Sequence, residues 1–307
     1  MYLSIVIPVY CSEEILNKLY AKLVDELTKI TSKFEIILVD DYSNDTSWKI
    51  IKEICSNDKR VKGIKLNKNY GQHNAIFCGI RKAKGEYILT MDDDLQHPPE
   101  EISKLVDKIA DGYDVVYGIS KKFEHTVVRN ILSRIIKYLI KIFMGFDQAQ
   151  NINSFRIFKQ KLMSEFMDVN NPKINIDVFL SWVTNKFGSV EVTHSKRLDG
   201  KSGYTIQKLI NHSLLMLTNF SSIPLKIASY LGFVFSILGF LILCYVVITY
   251  LLYDNPVPGF PFLASMISIF SGAQLLTLGI IGEYLSNIHI KSISKPMYKI
   301  NEIINDD

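Results

Sequence analysis

A chain of 307 residues is long enough for one large α/β domain with something added. It carries 35 basic against 31 acidic side chains, and a net charge of +4 implies no general polyanion-binding role, so no nucleic-acid partner is expected. With 48% hydrophobic residues and a mean hydropathy of +0.14, the chain lies between a soluble enzyme and a many-span transporter. Its cysteines, Cys11, Cys55, Cys78 and Cys244, form no CxxC pair, which argues against a disulfide framework or a thiolate metal site and for a reducing compartment.

The first third alternates short β-branched runs with helical periodicity. Residues 5–7 read as a strand, and residues 13–30 as a helix with Leu16, Leu19, Leu23 and Leu27 on one face. A strand at 36–39 stops at Asp40-Asp41, and a helix over 46–55 follows with Asp45 as its cap. Strands at 61–66 and 87–90 flank a helix at 74–83, and the second of them runs into Asp92-Asp93-Asp94. Pro98-Pro99-Glu100-Glu101 opens another helix, with proline and acids where a first turn favours them. Residues 114–117 make a fifth strand. This alternation predicts a mostly parallel, doubly wound sheet, in which ligands sit beyond the carboxyl ends of the strands. Both acidic clusters fall there.

Over 127–143 an apolar stripe (Val128, Ile131, Leu132, Ile135, Leu139, Phe143) shares a helical period with Arg129, Arg134, Lys137 and Lys141. Such a helix, about 125–145, can lie in a lipid headgroup region or pack on the sheet with a solvated basic face. Two stretches, about 229–253 and 257–283, are long and apolar enough to cross a bilayer as a hairpin. Lysines flank both outer ends (Lys201, Lys208 and Lys226; Lys291, Lys295 and Lys299), while the connector around Asp254-Asn255-Pro256 has none. Both ends are therefore expected on the cytoplasmic side. No secretory signal opens the chain. The expected organisation is a cytoplasmic catalytic domain at 1–222, a transmembrane hairpin at 223–290 and a cytoplasmic tail at 291–307, in a multi-pass cytoplasmic-membrane protein.

Carboxylates one residue apart at a strand end, Asp92 and Asp94, can chelate a hard divalent cation such as Mg²⁺ or Mn²⁺, commonly shared with substrate phosphates. The bland alternative is a solvated acidic turn capping the next helix. His73, His97, His194 and His212 are dispersed and form no ligand set.

Ser4-Ile5-Val6-Ile7-Pro8-Val9-Tyr10 with Glu13-Glu14, the run 39–46 and Asn69-Tyr70-Gly71 resemble the successive motifs of family 2 glycosyltransferases of the GT-A fold. The run 92–100 (DDDLQHPPE) is similar to the D-x-D-L-Q-x-P-P-E segment of their polyprenyl-phosphate branch, which includes dolichol-phosphate mannose synthases and bactoprenol glucosyltransferases. Gly282-Glu283-Tyr284 and Lys295-Pro296-Met297-Tyr298 resemble the bactoprenol-type ending. The resemblance implies a GT-A α/β domain followed by amphipathic interfacial helices and a two-helix membrane hairpin. It implies an inverting transfer of a sugar from an NDP-sugar, UDP-linked, to a polyprenyl (undecaprenyl) phosphate at a lipid bilayer, with homo-oligomerisation left open. Carried over by position, Pro8, Tyr10, Glu14 and Asp41 would hold the nucleotide, with Asp93 close by. Asp92, Asp94 and Gln96 would hold the metal, Arg129 and Ser133 the acceptor phosphate, and Arg197 the diphosphate region; Asp94, Arg129 and Arg197 would act in catalysis.

One position departs from the pattern. Bactoprenol glucosyltransferases commonly read Gly-Asp-Phe-Arg-Leu where this chain has Asn153-Ser154-Phe155-Arg156-Ile157. The acid proposed as base is Ser154 here, with Asp147 and Asp177 as substitutes, and restoring an aspartate at 154 is expected to leave activity similar or higher. The acceptor phosphate, ionised with a second pKa near 6, can attack without a base. A processive polysaccharide synthase would carry QxxRW, and a nicotinamide-dependent enzyme GxGxxG after the first strand; neither is present. A catalytically inactive membrane-anchored partner protein stays open as an alternative.

Overall fold

The computed structural model describes residues 1–120, 153–167, 175–193, 223–253, 259–292 and 296–306. The expectations placed on Arg129, Ser133, Asp147, Arg197 and the amphipathic stretch 125–145 lie outside the described residues.

The described chain falls into two compact units. The first holds β1 (Tyr2–Val9), α1 (Leu16–Ile30), β2 (Lys33–Asp40), α2 (Ser47–Asn57), β3 (Val61–Leu66), α3 (Gln72–Lys82), β4 (Tyr87–Thr90), α4 (Ile102–Ala110) and β5 (Val115–Ser120). After these come β6 (Arg156–Lys159), α5 (Ile176–Val183), β7 (Phe187–Val192) and, from the carboxyl terminus, β8 (Ile300–Ile304). The strands form one sheet in the order β7-β5-β6-β4-β1-β2-β3-β8. Pairings β1–β2, β1–β4, β2–β3 and β5–β7 are parallel. β6 inserts antiparallel between β4 and β5, and β8 lies antiparallel on β3.

Alternation along the strands sends apolar side chains to both faces, as expected for strands buried on both sides. Leu3, Ile5, Ile7 and Val9 of β1 join a core with the four α1 leucines, Trp48 and Ile51 of α2, and Ile102 and Leu105 of α4. Val6, Ile37 and Val39 point the other way, onto Phe77 and Ile80 of α3 and Ile176 and Phe179 of α5. Each buried leucine or isoleucine stabilises the unit by roughly 1.5–3 kcal/mol relative to exposure. Gly79 sets how closely α3 approaches β1, because a Cβ there would collide with Val6 Cγ1.

The second unit holds α6 (Ile223–Tyr253) and α7 (Gly259–Ser292). Within α6, residues Leu225–Thr249 are long and apolar enough to cross a membrane, with hydropathy 2.7 and none of the window buried. Among the described residues this is the one helix that meets that criterion. Large apolar side chains of both helices, including Phe233, Phe240, Leu275 and Leu285, face outward, far more apolar surface than a water-soluble helix pair leaves uncovered.

The tail differs from expectation. The strand β8 completes the sheet of the first unit, where the sequence suggested only a terminal extension.

Candidate active site

The carboxyl ends of β1, β2 and β4 open into a cleft of about 280 Å³, lined by Pro8, Val9, Tyr10, Asp41, Asn69, Gly71, Gln72, Asp92, Asp93 and Asp94. Strand geometry brings these together: the register pairs Val9 with Asp40 and Val6 with Thr90, so the residues just past each strand meet at one edge. The cleft gathers Pro8, Tyr10, Asp41, Asp92, Asp93 and Asp94 from the sequence-predicted set. Glu14 and Gln96 are not among its lining residues.

Each aspartate is held differently. Asp92 accepts from Gln72 Nε2 at 2.5 Å on one oxygen and from Ser154 Oγ at 2.6 Å on the other. Ser154 is itself fixed, because its carbonyl accepts from Thr90 Oγ1 at 2.6 Å. Asp93 accepts from the Ser12 hydroxyl and from the Tyr10 amide, which ties the β1–α1 loop to the acidic cluster. Burial pushes the Asp93 carboxyl up to about 6, against the lowering effect of those two donors; the charges of Asp92 and Asp94 push it the same way as burial. Asp94 accepts from the Gln96 backbone amide at 3.1 Å.

Asp41 organises the opposite wall. Its two oxygens accept from the backbone amides of Tyr70 at 2.7 Å and Gly71 at 2.8 Å, pinning the β3–α3 loop that contributes Asn69, Gly71 and Gln72. Burial raises its pKa, and the two amides partly offset that. Gly71 has φ +89°, a left-handed conformation that favours glycine. Cys11, Tyr42 and Leu95, just beyond β1, β2 and β4, also have positive φ. Non-glycine residues held this way cluster at functional sites, and three strand-end loops share the trait here.

Glu13, the neighbour of the predicted Glu14, joins two loops from outside the cleft. It accepts from Thr46 N at 2.7 Å and Thr46 Oγ1 at 2.6 Å, while Asp45 accepts from the Glu13 and Ser47 amides. Asp177, suggested as a substitute base, is 2% exposed. It accepts from Tyr117 Oη at 2.8 Å and is ion-paired with the fully buried Arg156, so its carboxylate serves the guanidinium. Gln72 and Ser12 carry no signal in the sequence that ties them to the acidic site, whereas Ser154 stands where the family pattern has its acid. Gln72 was legible only as the residue after Asn69-Tyr70-Gly71.

A doubly wound sheet with an aspartate-lined cleft at its carboxyl edge is the architecture of a GT-A glycosyltransferase. The chain belongs to glycosyl transferase family 2, whose model matches residues 4–169. It is 33% identical over 304 residues to the undecaprenyl-phosphate 4-deoxy-4-formamido-L-arabinose transferase of Pectobacterium atrosepticum, covering 98% of this chain and 93% of that one. An uncharacterized glycosyltransferase of Bacillus subtilis is 32% identical over 300 residues, covering 97% and 93%. Among solved structures, mannosyl-3-phosphoglycerate synthase from Rubrobacter xylanophilus superposes with a TM-score of 0.53 at 14% identity, covering 71% of this chain and 72% of that one. The protein is thus a glycosyltransferase enzyme of the α/β GT-A class.

Proposed function

We propose that this enzyme transfers a sugar from a nucleoside-diphosphate sugar, UDP-linked, to a polyprenyl phosphate, with undecaprenyl phosphate the acceptor class named in its relatives. The carrying observation is the Asp92–Asp94 cluster at the floor of a strand-end cleft, in a chain that also contains a helix of membrane-spanning length and apolarity.

The donor set fits a divalent cation. Asp92 and Asp94 offer hard oxygen ligands beside each other, and Mg²⁺ and Mn²⁺ favour one or two carboxylates completed by substrate phosphates. Among the described residues no group of three or more His, Cys, Asp or Glu is placed to hold a metal ion, so substrate phosphates would have to complete the shell. Asp92 and Asp94 would hold the ion, with Gln96 the third ligand proposed from sequence. When bound, the ion supplies charge neutralisation for the departing diphosphate.

The chain's own residues do the positioning. Gln72 and Ser154 hold the Asp92 carboxylate from two sides, and Asp41 fixes the loop that forms the facing wall. Tyr10, exposed at the cleft, offers an aromatic face to a nucleobase. Arg129 and Ser133 would receive the acceptor phosphate, and Arg197 would stand near the diphosphate, as bidentate guanidinium donors suit phosphate oxygens. The ionised acceptor oxygen attacks the anomeric carbon opposite the leaving nucleotide, forming the new C–O bond as the bond to the diphosphate breaks, and configuration inverts. No side chain need remove a proton, which accommodates Ser154 at the family's acidic position.

Connectivity supports a two-span anchor. The strand β8 pairs with β3 in the same compact unit as the amino-terminal strands. A single crossing by α6 would strand β8 across the bilayer from its partner. A return crossing by α7 would keep both ends of the chain on one side, and the lysines outside the two apolar stretches favour the cytoplasmic side for the catalytic unit.

The test is to incubate the purified full-length protein with undecaprenyl phosphate, Mn²⁺ or Mg²⁺ and a panel of labelled NDP-sugars, then extract with organic solvent. Label in the organic phase, abolished by EDTA, is expected. Transfer only to water-soluble acceptors would overturn the reading.

A further inference from the structure

We infer that the carboxyl-terminal segment 296–306 positions the donor-side loop, residues 67–72, and so serves transfer without lining the cleft. The inference rests on the reading that the cleft binds a nucleotide donor, and it concerns how that site is held.

Four contacts carry it. The Lys299 carbonyl accepts from the Asn67 amide at 2.8 Å, immediately after β3 ends and two residues before the cleft-lining Asn69. Strand β8 pairs Ile300 with Leu66 and Glu302 with Lys65, with a register irregularity between Lys65 and Leu66, so the tail follows β3 to its last residue. Tyr298 accepts from Arg81 Nη1 at 3.2 Å, and Met297, 2% exposed, packs in the same core as Phe77 and Ile80. The segment therefore grips α3 from one side of the loop and β3 from the other. Between those grips Asp41 holds Tyr70 and Gly71, and Gln72, the first residue of α3, donates to Asp92.

The tail is secured along its length. Trp48 Nε1 donates to Glu302 at 3.2 Å, and Lys52 pairs with the same carboxylate at 2.7 Å. Asn305 Nδ2 donates to the carbonyls of Cys55 and Val61, each at 2.8 Å. Lys82 and Lys62 both pair with Asp306. Backbone pairing with several side-chain anchors makes an ordered edge strand, and its first residues sit against the loop that contributes Asn69, Gly71 and Gln72 to the cleft. The tail thus acts on the site through residues 67–72.

The experiment compares the full-length protein with a chain ended before Pro296, and with Tyr298→Ala and Tyr298→Phe. Amide hydrogen exchange is followed in ligand-free protein, and KM is measured separately for the NDP-sugar and for undecaprenyl phosphate. The truncated chain and Tyr298→Ala should exchange faster at Tyr70 and Gly71 while β1 and β4 keep their protection. Donor KM should rise about tenfold, the scale of one or two lost net hydrogen bonds, with acceptor KM unchanged. Tyr298→Phe loses the hydrogen bond from Arg81 but keeps the ring beneath that guanidinium, and should raise donor KM by less than Tyr298→Ala does. Wild-type exchange at Tyr70 and Gly71 with unchanged donor KM overturns the inference. So does equal loosening of the whole sheet in Tyr298→Ala, which decides the matter if the truncated chain does not fold. Failure of the unaltered protein to bind UDP with Mn²⁺ would instead sink the proposed donor, leaving the exchange result to stand separately.

Discussion

Replacing Ser154 by aspartate sets a second carboxylate against Asp92, because the serine hydroxyl already lies 2.6 Å from Asp92 Oδ2. The family pattern implies only that this substitution leaves activity similar or higher. In the folded protein it removes a hydrogen bond of about 1 kcal/mol and brings two negative charges to roughly 4 Å, which costs about 4 kcal/mol at an effective dielectric near 20. The pair can relieve that repulsion by keeping one proton, so its upper titration should rise by up to about 3 units. A carboxyl pKa raised in the folded state gives stability that is full below the unfolded value, near 3.9, and is lost as pH rises through the folded value. Thermal melts in EDTA should therefore place Ser154→Asp close to the unaltered protein at pH 5 and well below it at pH 8. Saturating Mn²⁺ should shrink the pH 8 deficit, since a cation between the carboxylates offsets their repulsion. An equal deficit at both pH values, untouched by Mn²⁺, would refute the geometry assigned to Asp92.

Asp94→Asn should abolish sugar transfer while far-ultraviolet circular dichroism and the melting temperature stay near the original values; unchanged turnover would remove Asp94 from the site. Asp177→Asn should lower the unfolding free energy by about 3–5 kcal/mol in denaturant melts, because it strips the fully buried Arg156 of its counter-charge; a loss under ~1 kcal/mol would contradict the ion pair. The Asp93 carboxyl is raised from 3.8 to about 6 by burial, so its ionisation penalises folding increasingly as pH climbs through that interval. Asp93→Asn should accordingly gain on the unaltered ligand-free protein between pH 4 and pH 7, by up to about 2–3 kcal/mol; a pH-independent difference would show that Asp93 titrates normally.

The amino-terminal half of the sheet was legible because its signals are local. Strands at 61–66 and 87–90 match their expected limits, and the α1 leucines at helical spacing are the ones buried. The helix after Asp40-Asp41 begins at Ser47, with Asp45 accepting from its amide. The aspartates at the strand ends could be located from the alternation of elements alone. What was not legible depends on partners distant in sequence. The short run 156–159 becomes a strand because it fits between β4 and β5, and residues 300–304 because β3 leaves an edge open some 240 positions earlier. Ser154 offered nothing in its own neighbourhood to announce a bond to a carboxylate 62 positions away. Arginines 129 and 197 were read from spacing and resemblance, and they lie outside the described residues.

The strand at the sheet's far edge has a consequence for how the enzyme matures. Residues 300–304 follow both long helices in the chain, yet they lie beside β3, which precedes those helices by more than 150 positions. Synthesis therefore leaves the 67–72 loop without this support until both long helices have been made. A product that stopped within the helices would lack that strand, so the order of the chain ties a fully supported cleft to the presence of both long helices.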